Sequence, residues 1–106
     1  MSISFIIPAR NEEAYIGETI KHILAQPEEL VKEIIVVDAS QDETPQIVQS
    51  YSAKQVKLII QSRSKGRAAA RNEGILAAHG EIVIILNADV RLPRDFIQRI
   101  LKHYEA

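Results

Sequence analysis

The sequence predicts an α/β fold: a mostly parallel, Rossmann-like sheet of about four strands with flanking helices. Three observations predict it. Short apolar, β-branched runs recur along the chain at Ile3 to Ile7, Ile34 to Val37, Val56 to Ile60 and Ile82 to Leu86. Segments with helical hydrophobic spacing lie between them and after the last. The runs are continuous rather than alternating, as expected of parallel strands covered on both faces. A strand–helix alternation of this kind closes through right-handed crossovers. Its ligands sit beyond the carboxyl ends of the strands.

The elements follow in order. Ile3 to Ile7 is the first strand, closed by Pro8. Ile16, Ile20, Ile23 and Leu24 fall at i, i+4, i+7 and i+8 and predict a helix, with Asn11 as its N-cap. Ile34 to Val37 is the second strand, ending abruptly at Asp38. Pro45 suits a first helical turn capped by Thr44, with Ile47, Val48 and Tyr51 on one face. After the third strand, Val56 to Ile60, a helix is expected from about Gly66 to His79, stopped by Gly80. The strand Ile82 to Leu86 follows. Phe96, Ile97, Ile100, Leu101 and Tyr104 then mark an amphipathic helix behind Pro93.

Composition excludes several function classes. At 106 residues and 46% hydrophobic content there is room for one core, so residues 1–106 read as one domain. A formal charge of -1 argues against a general nucleic-acid binder. No apolar run approaches the roughly 18 residues of a membrane span, and Met1 to Ser4 lead into a strand without an export signal. Cysteine is absent, which rules out disulfides and thiolate metal sites and, with no export signal, favours the cytoplasm.

Four polar clusters are expected on one rim of the sheet: Pro8 to Glu12, Asp38 to Asp42, Arg63 to Arg67 and Asn87 to Asp89. A dinucleotide-binding reading needs a glycine-rich turn after the first strand, and Pro8-Ala9-Arg10-Asn11-Glu12 has no glycine. The same absence disfavours a nucleotidyltransferase, and no phosphate-cradling GxxxxGK[ST] loop is present. Arg63, Lys65, Arg67 and Arg71 lie near a helix start, where side-chain charge and unpaired N–H groups both favour anions.

Ser4 through Glu13, Glu33 through Thr44, and Gly66 through Asp89 resemble, in order and spacing, three successive signatures of family 2 inverting glycosyltransferases with the GT-A fold. The resemblance covers nearly the whole chain. It implies the nucleotide-sugar-binding half of such an enzyme, with a nucleoside diphosphate-sugar as ligand. On that reading Pro8, Ala9, Arg10 and Glu12 border the nucleotide, with the Pro8 turn beside the base. Asp38 hydrogen-bonds the base, and Arg67 and its neighbours face the nucleotide. Asn87-Ala88-Asp89 takes the place of the family's Asp-x-Asp motif, with Asn87 near the ribose and Asp89 on a divalent cation, Mg²⁺ or Mn²⁺. Asn87 lacks the charge of the usual first Asp. The chemistry is coherent, because a cation held by carboxylate and phosphate oxygens neutralises a departing nucleoside diphosphate.

Plainer roles compete at each position. Ser40, Asp42 and Thr44 are good turn and capping residues, so Asp42 reads as structural. Arg67 and Arg71, one helical turn apart, could each ion-pair locally with a carboxylate, and Arg10 could stack on a base or sit at the surface. His22, His79 and His103 show no metal-ligand spacing and receive no catalytic role, and Asn72 reads as a tether between its helix and a loop. An inverting transfer needs a general base for the acceptor hydroxyl; the resemblance implies that it comes after the metal motif, and no residue past Asp89 suggests one. The expectation is therefore a chain that binds a donor and transfers negligibly, the acceptor remaining unknown. The alternative is a noncatalytic nucleotide-binding or assembly module. The fourth strand would leave an open edge, so a homodimer through that edge or the last helix is a further expectation.

Overall fold

The computed structural model describes residues 2–61 and 65–105, with side chains through His103. Arg63 and the side chain of Tyr104 therefore lie outside the described residues. Four strands, β1 (Ile3–Ala9), β2 (Val31–Asp38), β3 (Val56–Ile60) and β4 (Ile82–Ile85), alternate with helices α1 (Ile16–Leu24), α2 (Thr44–Gln49), α3 (Arg67–Ala77) and α4 (Phe96–Glu105). The strands pair in the order β3-β2-β1-β4, and every pairing is parallel.

The strand sequences explain their places. β1 and β2 are buried almost throughout and occupy the centre, where both faces are covered. β3 and β4 lie at the edges and are only partly buried. On one face Phe5, Ile7, Ile34 and Val36 pack with Ile16, Ile20 and Ile23 of α1, Val48 of α2 and Ile97 of α4. On the other, Ile6, Ile35 and Val37 meet Ala70 of α3. That second layer is thin because α3 presents small residues. A Cβ on Gly74 would stand 2.3 Å from Ile6 Cγ2.

β1 continues past Ile7 to Ala9, since Pro8 still pairs with Val37. Having no N–H, Pro8 instead coincides with the end of the ladder on the other side, where β4 pairs only as far as Ile6↔Ile85. β2 is longer than its apolar run at both ends, and β4 stops one residue short of Leu86.

Helix boundaries differ more. α1 starts at Ile16, not after Asn11, because Asn11 is left-handed (φ 56°) and joins a loop instead. Thr44 lies inside α2, whose N-cap is Glu43; the Asp42 carboxylate, one residue before that cap, accepts the Thr44 N–H at 2.9 Å. Pro45 sits in the first turn as the sequence predicts. α3 begins one residue after Gly66, which has φ 92°, and ends at Ala77 when Ala78 turns extended. Gly80 is thus not its stop. A Cβ there would lie 2.6 Å from Ser4 Oγ and 2.7 Å from Ser4 N, so close approach to β1 demands the glycine.

A polar knot fixes that approach at the amino end of the sheet. The buried Glu33 carboxylate accepts bonds from Ser4 Oγ (2.6 Å), Lys57 Nζ (2.8 Å) and the His79 N–H (2.6 Å). Ser4 Oγ in turn accepts the Gly80 N–H at 2.8 Å. Burial alone would raise the Glu33 pKa, but these donors and the Lys57 charge outweigh it and hold the carboxyl at about 2.

Candidate functional site

The carboxyl ends of β1 and β2 open onto a cavity of about 220 Å³ lined by Pro8, Ala9, Arg10, Glu12, Val37, Ala39, Gln61, Gly66, Arg67 and Ala70. Val37, Ala39 and Ala70 give it small apolar lining, and Arg10, Glu12 and Arg67 give it charge. A larger hollow of about 580 Å³ lies at the other end of the sheet, where β2 begins, and gathers Leu24, Val31 and Tyr51 with only Glu28 and Lys54 as charges. The chemistry favours the first, because it lies where parallel strands deliver their loops.

Two loops are laced together to form the wall. Asn11 N–H donates to Ser40 Oγ (2.7 Å), and Asn11 Oδ1 accepts the Gln41 N–H (2.8 Å). Glu12 N–H donates to Thr44 Oγ1 (3.0 Å), Glu13 N–H to Asp42 (3.2 Å), and Glu43 N–H to Glu13 (3.1 Å). This lacing explains the left-handed Asn11, a conformation Asn tolerates better than most residues. Desolvation raises the Asp42 pKa, yet the Thr44 hydroxyl, the Thr44 N–H and the Glu13 N–H bring it below the ordinary value. Asp42 is structural, as its neighbours suggested.

Asp38 has different employment from the one expected. Its carboxylate is 1% exposed and accepts both the Ser40 hydroxyl (2.6 Å) and the Ser40 N–H (3.2 Å). Strand alternation turns it to the α1–α2 side, whereas its neighbours Val37 and Ala39 line the cavity. Asp38 therefore organises the loop through Ser40, and its side chain does not reach the cavity as a base ligand would.

The segment after β4 is held by α1. Thr19 Oγ1 donates to the Ala88 carbonyl (2.7 Å), with the Val90 carbonyl also within reach at 3.0 Å. His22 Nδ1 accepts the Leu92 N–H at 3.0 Å, which gives that histidine a structural role. Gln26 donates to the Pro93 carbonyl (2.8 Å) and accepts the Ile97 N–H (3.2 Å), fixing the start of α4. Asn87 and Asp89 are consequently exposed on an anchored loop outside the cavity lining. Asp89 is nonetheless close enough to act on Glu12. Burial first, then the Asp89 charge, raises the Glu12 pKa; Arg67 lowers it and Asp42 raises it.

Pro8, Ala9, Arg10, Glu12 and Arg67 thus meet in one cavity, Asp89 stands beside them through Glu12, and Asp38 turns away. Lys65, Arg71 and Asn72 are exposed. Residues that the sequence reading did not single out also line the cavity, Gln61, Val37 and Ala70 among them. Gln61 is buried in the cavity wall and donates from Nε2 to Glu73 Oε1 at 2.8 Å; a polar residue directly after the third strand was the available signal. Val37 was hidden inside an apolar run.

Among the described residues no group of three or more His, Cys, Asp or Glu could cage an ion. Two mutually repelling carboxylates, Glu12 and Asp89, suit an ion whose remaining positions are taken by phosphate oxygens and water.

A parallel sheet with an anion-suited site at its carboxyl rim defines a nucleotide-binding class of α/β protein. The family model for glycosyl transferase family 2 matches residues 4–106. This chain belongs to that family. It is 33% identical to the succinoglycan biosynthesis protein ExoO of Rhizobium meliloti over 98% of this chain and 30% of that protein. Staphylococcus aureus TarS (1–349), solved with UDP, superposes with a TM-score of 0.89 at 29% identity, over 99% of this chain and 32% of that one. The mannosyltransferase PcManGT from Pyrobaculum calidifontis, solved with GDP-Man and Mn²⁺, gives 0.86 at 33% identity, over 94% and 31%. The chain spans about a third of the length of these relatives. The GT-A type of fold is established by these superpositions, and no helix among the described residues is long and apolar enough to cross a membrane.

Proposed function

We propose that this chain is the donor-binding part of a glycosyltransferase and holds a nucleoside diphosphate-sugar at the carboxyl ends of β1 and β2. The observation that carries the reading is the cavity itself, apolar at Val37, Ala39 and Ala70 and charged at Arg10, Glu12 and Arg67. At about 220 Å³ it is smaller than the ~300–1,000 Å³ of whole small-molecule sites, so it takes one end of such a ligand. The base end lies against Pro8, Ala9 and Val37. The diphosphate then runs past Arg67 toward Asp89.

Arg67 balances phosphate charge from the start of α3, where unpaired N–H groups add to it. Asp89, with Glu12 behind it, holds Mg²⁺ or Mn²⁺, and Asn87 takes the ribose or a water on that ion. The bound ion supplies Lewis-acid neutralisation of the leaving diphosphate. In the longer protein the reaction is transfer of the sugar to an acceptor hydroxyl with inversion, while residues 1–106 bind without appreciable transfer. The relatives solved with UDP and with GDP-Man and Mn²⁺ support this reading.

Calorimetry with UDP- and GDP-sugars, with and without Mn²⁺, tests it. Binding strengthened by Mn²⁺, with that gain reduced at least about tenfold in Asp89→Ala, is expected. Absence of binding removes the proposal. Equal binding without metal and in Asp89→Ala leaves only a noncatalytic nucleotide module.

A further inference from the structure

We propose that Gln61 selects the nucleobase, through an oxygen that Glu73 forces to face the cavity, and that it favours bases carrying a ring N–H donor (uracil, thymine and guanine) over cytosine and adenine. The inference rests on the donor-binding reading above and adds which donors the site accepts.

The orientation of an amide is normally ambiguous, because its oxygen and nitrogen look alike. Here chemistry settles it. A carboxylate only accepts hydrogen bonds, so the group that Gln61 points at Glu73 Oε1, 2.8 Å away, is the NH₂. Oε1 is left on the opposite side of the amide. The Gln61 backbone is pinned as well, its N–H donating to the Asp38 carbonyl at 2.8 Å. The residue is 8% exposed and lines the cavity with Val37 and Ala39.

Oε1 has no partner among the described residues. Yet no buried side-chain nitrogen or oxygen among them lacks one. The oxygen must therefore reach open space, and the space that Gln61 lines is the cavity. An acceptor fixed in a recess rewards a donor and penalises a lone pair, because the mismatch leaves a desolvated polar atom unpaired. The ring N–H of uracil, thymine or guanine supplies that donor. Cytosine and adenine present a bare ring nitrogen at the corresponding place. With Asp38 turned toward Ser40, Gln61 is the uncharged polar side chain among the residues that line the recess.

The test is equilibrium binding of UDP, GDP, CDP and ADP in Mn²⁺ to the wild-type chain, Gln61→Leu and Glu73→Gln, each checked for native circular dichroism. Wild type is expected to bind UDP or GDP at least about tenfold more tightly than CDP and ADP. Gln61→Leu should bring that ratio to within about threefold while leaving the weak CDP and ADP affinities, which come from the diphosphate, nearly unchanged. Glu73→Gln keeps the amide but frees it to flip, so it should also lose most of the discrimination. Should CDP or ADP bind wild type as well as UDP and GDP do, or discrimination survive both substitutions, the assignment to Gln61 is wrong and the donor site stands. If none of the four binds wild type, the donor reading itself fails.

Discussion

Replacing Glu33 by glutamine probes the knot that closes the amino end of the sheet. The wild-type carboxylate is 2% exposed and accepts from Ser4, Lys57 and the His79 N–H. Holding its pKa at about 2 rather than 4.5 corresponds to about 3 kcal/mol at neutral pH, at about 1.4 kcal/mol per pH unit. Lys57 is 55% exposed, so solvent screening reduces this to about 2 kcal/mol. A glutamine can accept from Ser4 or His79, but its NH₂ then confronts the Lys57 ammonium, donor against donor. The expected loss of about 2 kcal/mol lowers Tm by roughly 10 °C in a domain of this size.

The pH dependence gives an independent check. A depressed carboxyl pKa contributes fully above the unfolded-state value of about 4.5, and its contribution drains away as pH falls toward 2, with roughly half gone by pH 3. Urea melts at pH 7, 5 and 3 should therefore show the two proteins converging in acid. Equal acid slopes, or a Glu33→Gln variant within about 0.5 kcal/mol of wild type at pH 7, would refute the assignment of this network as a stabilising one.

Two glycine substitutions separate rigid from yielding neighbours. Gly80→Ala drives a Cβ onto the Ser4 backbone nitrogen and should prevent a stable fold, whereas Gly74→Ala meets only the Ile6 side chain and should cost about 1–3 kcal/mol; thermal melts that rank them the other way contradict the close-approach argument. The open edge of β4, where Val83 and Ile85 are 38% and 39% exposed, is proposed to pair two copies of the chain. Light scattering should then show a dimer at high concentration that Ile85→Lys abolishes, and a monomer at every concentration rules the pairing out.

Much of the architecture was legible because it depends on local periodicity. The apolar runs marked all four strands, β3 to the residue, and their continuity announced parallel pairing. Helix starts were misplaced where a side chain serves a distant partner. Asn11 looks like a cap in one dimension, yet its carbonyl oxygen is claimed by the Gln41 N–H. Gly80 looks like a helix stop, but its smallness answers to Ser4, 76 residues away in sequence.

The same division runs through the site. The sequence by itself determined that polar clusters would follow each strand, because parallel strands carry their functional loops at one end. The family resemblance it carries put Pro8, Ala9, Arg10, Glu12 and Arg67 beside one ligand, and these five line one cavity, whereas Asp38 and Asn87, expected with them, do not. Only the tertiary structure decided which way Asp38 faces, that Glu12 feels Asp89, and that Gln61 presents an oxygen. Residue type and spacing follow from the chain; the direction of a side chain and the partner that consumes it depend on which other element comes within hydrogen-bonding distance, and that is fixed only when the layers pack.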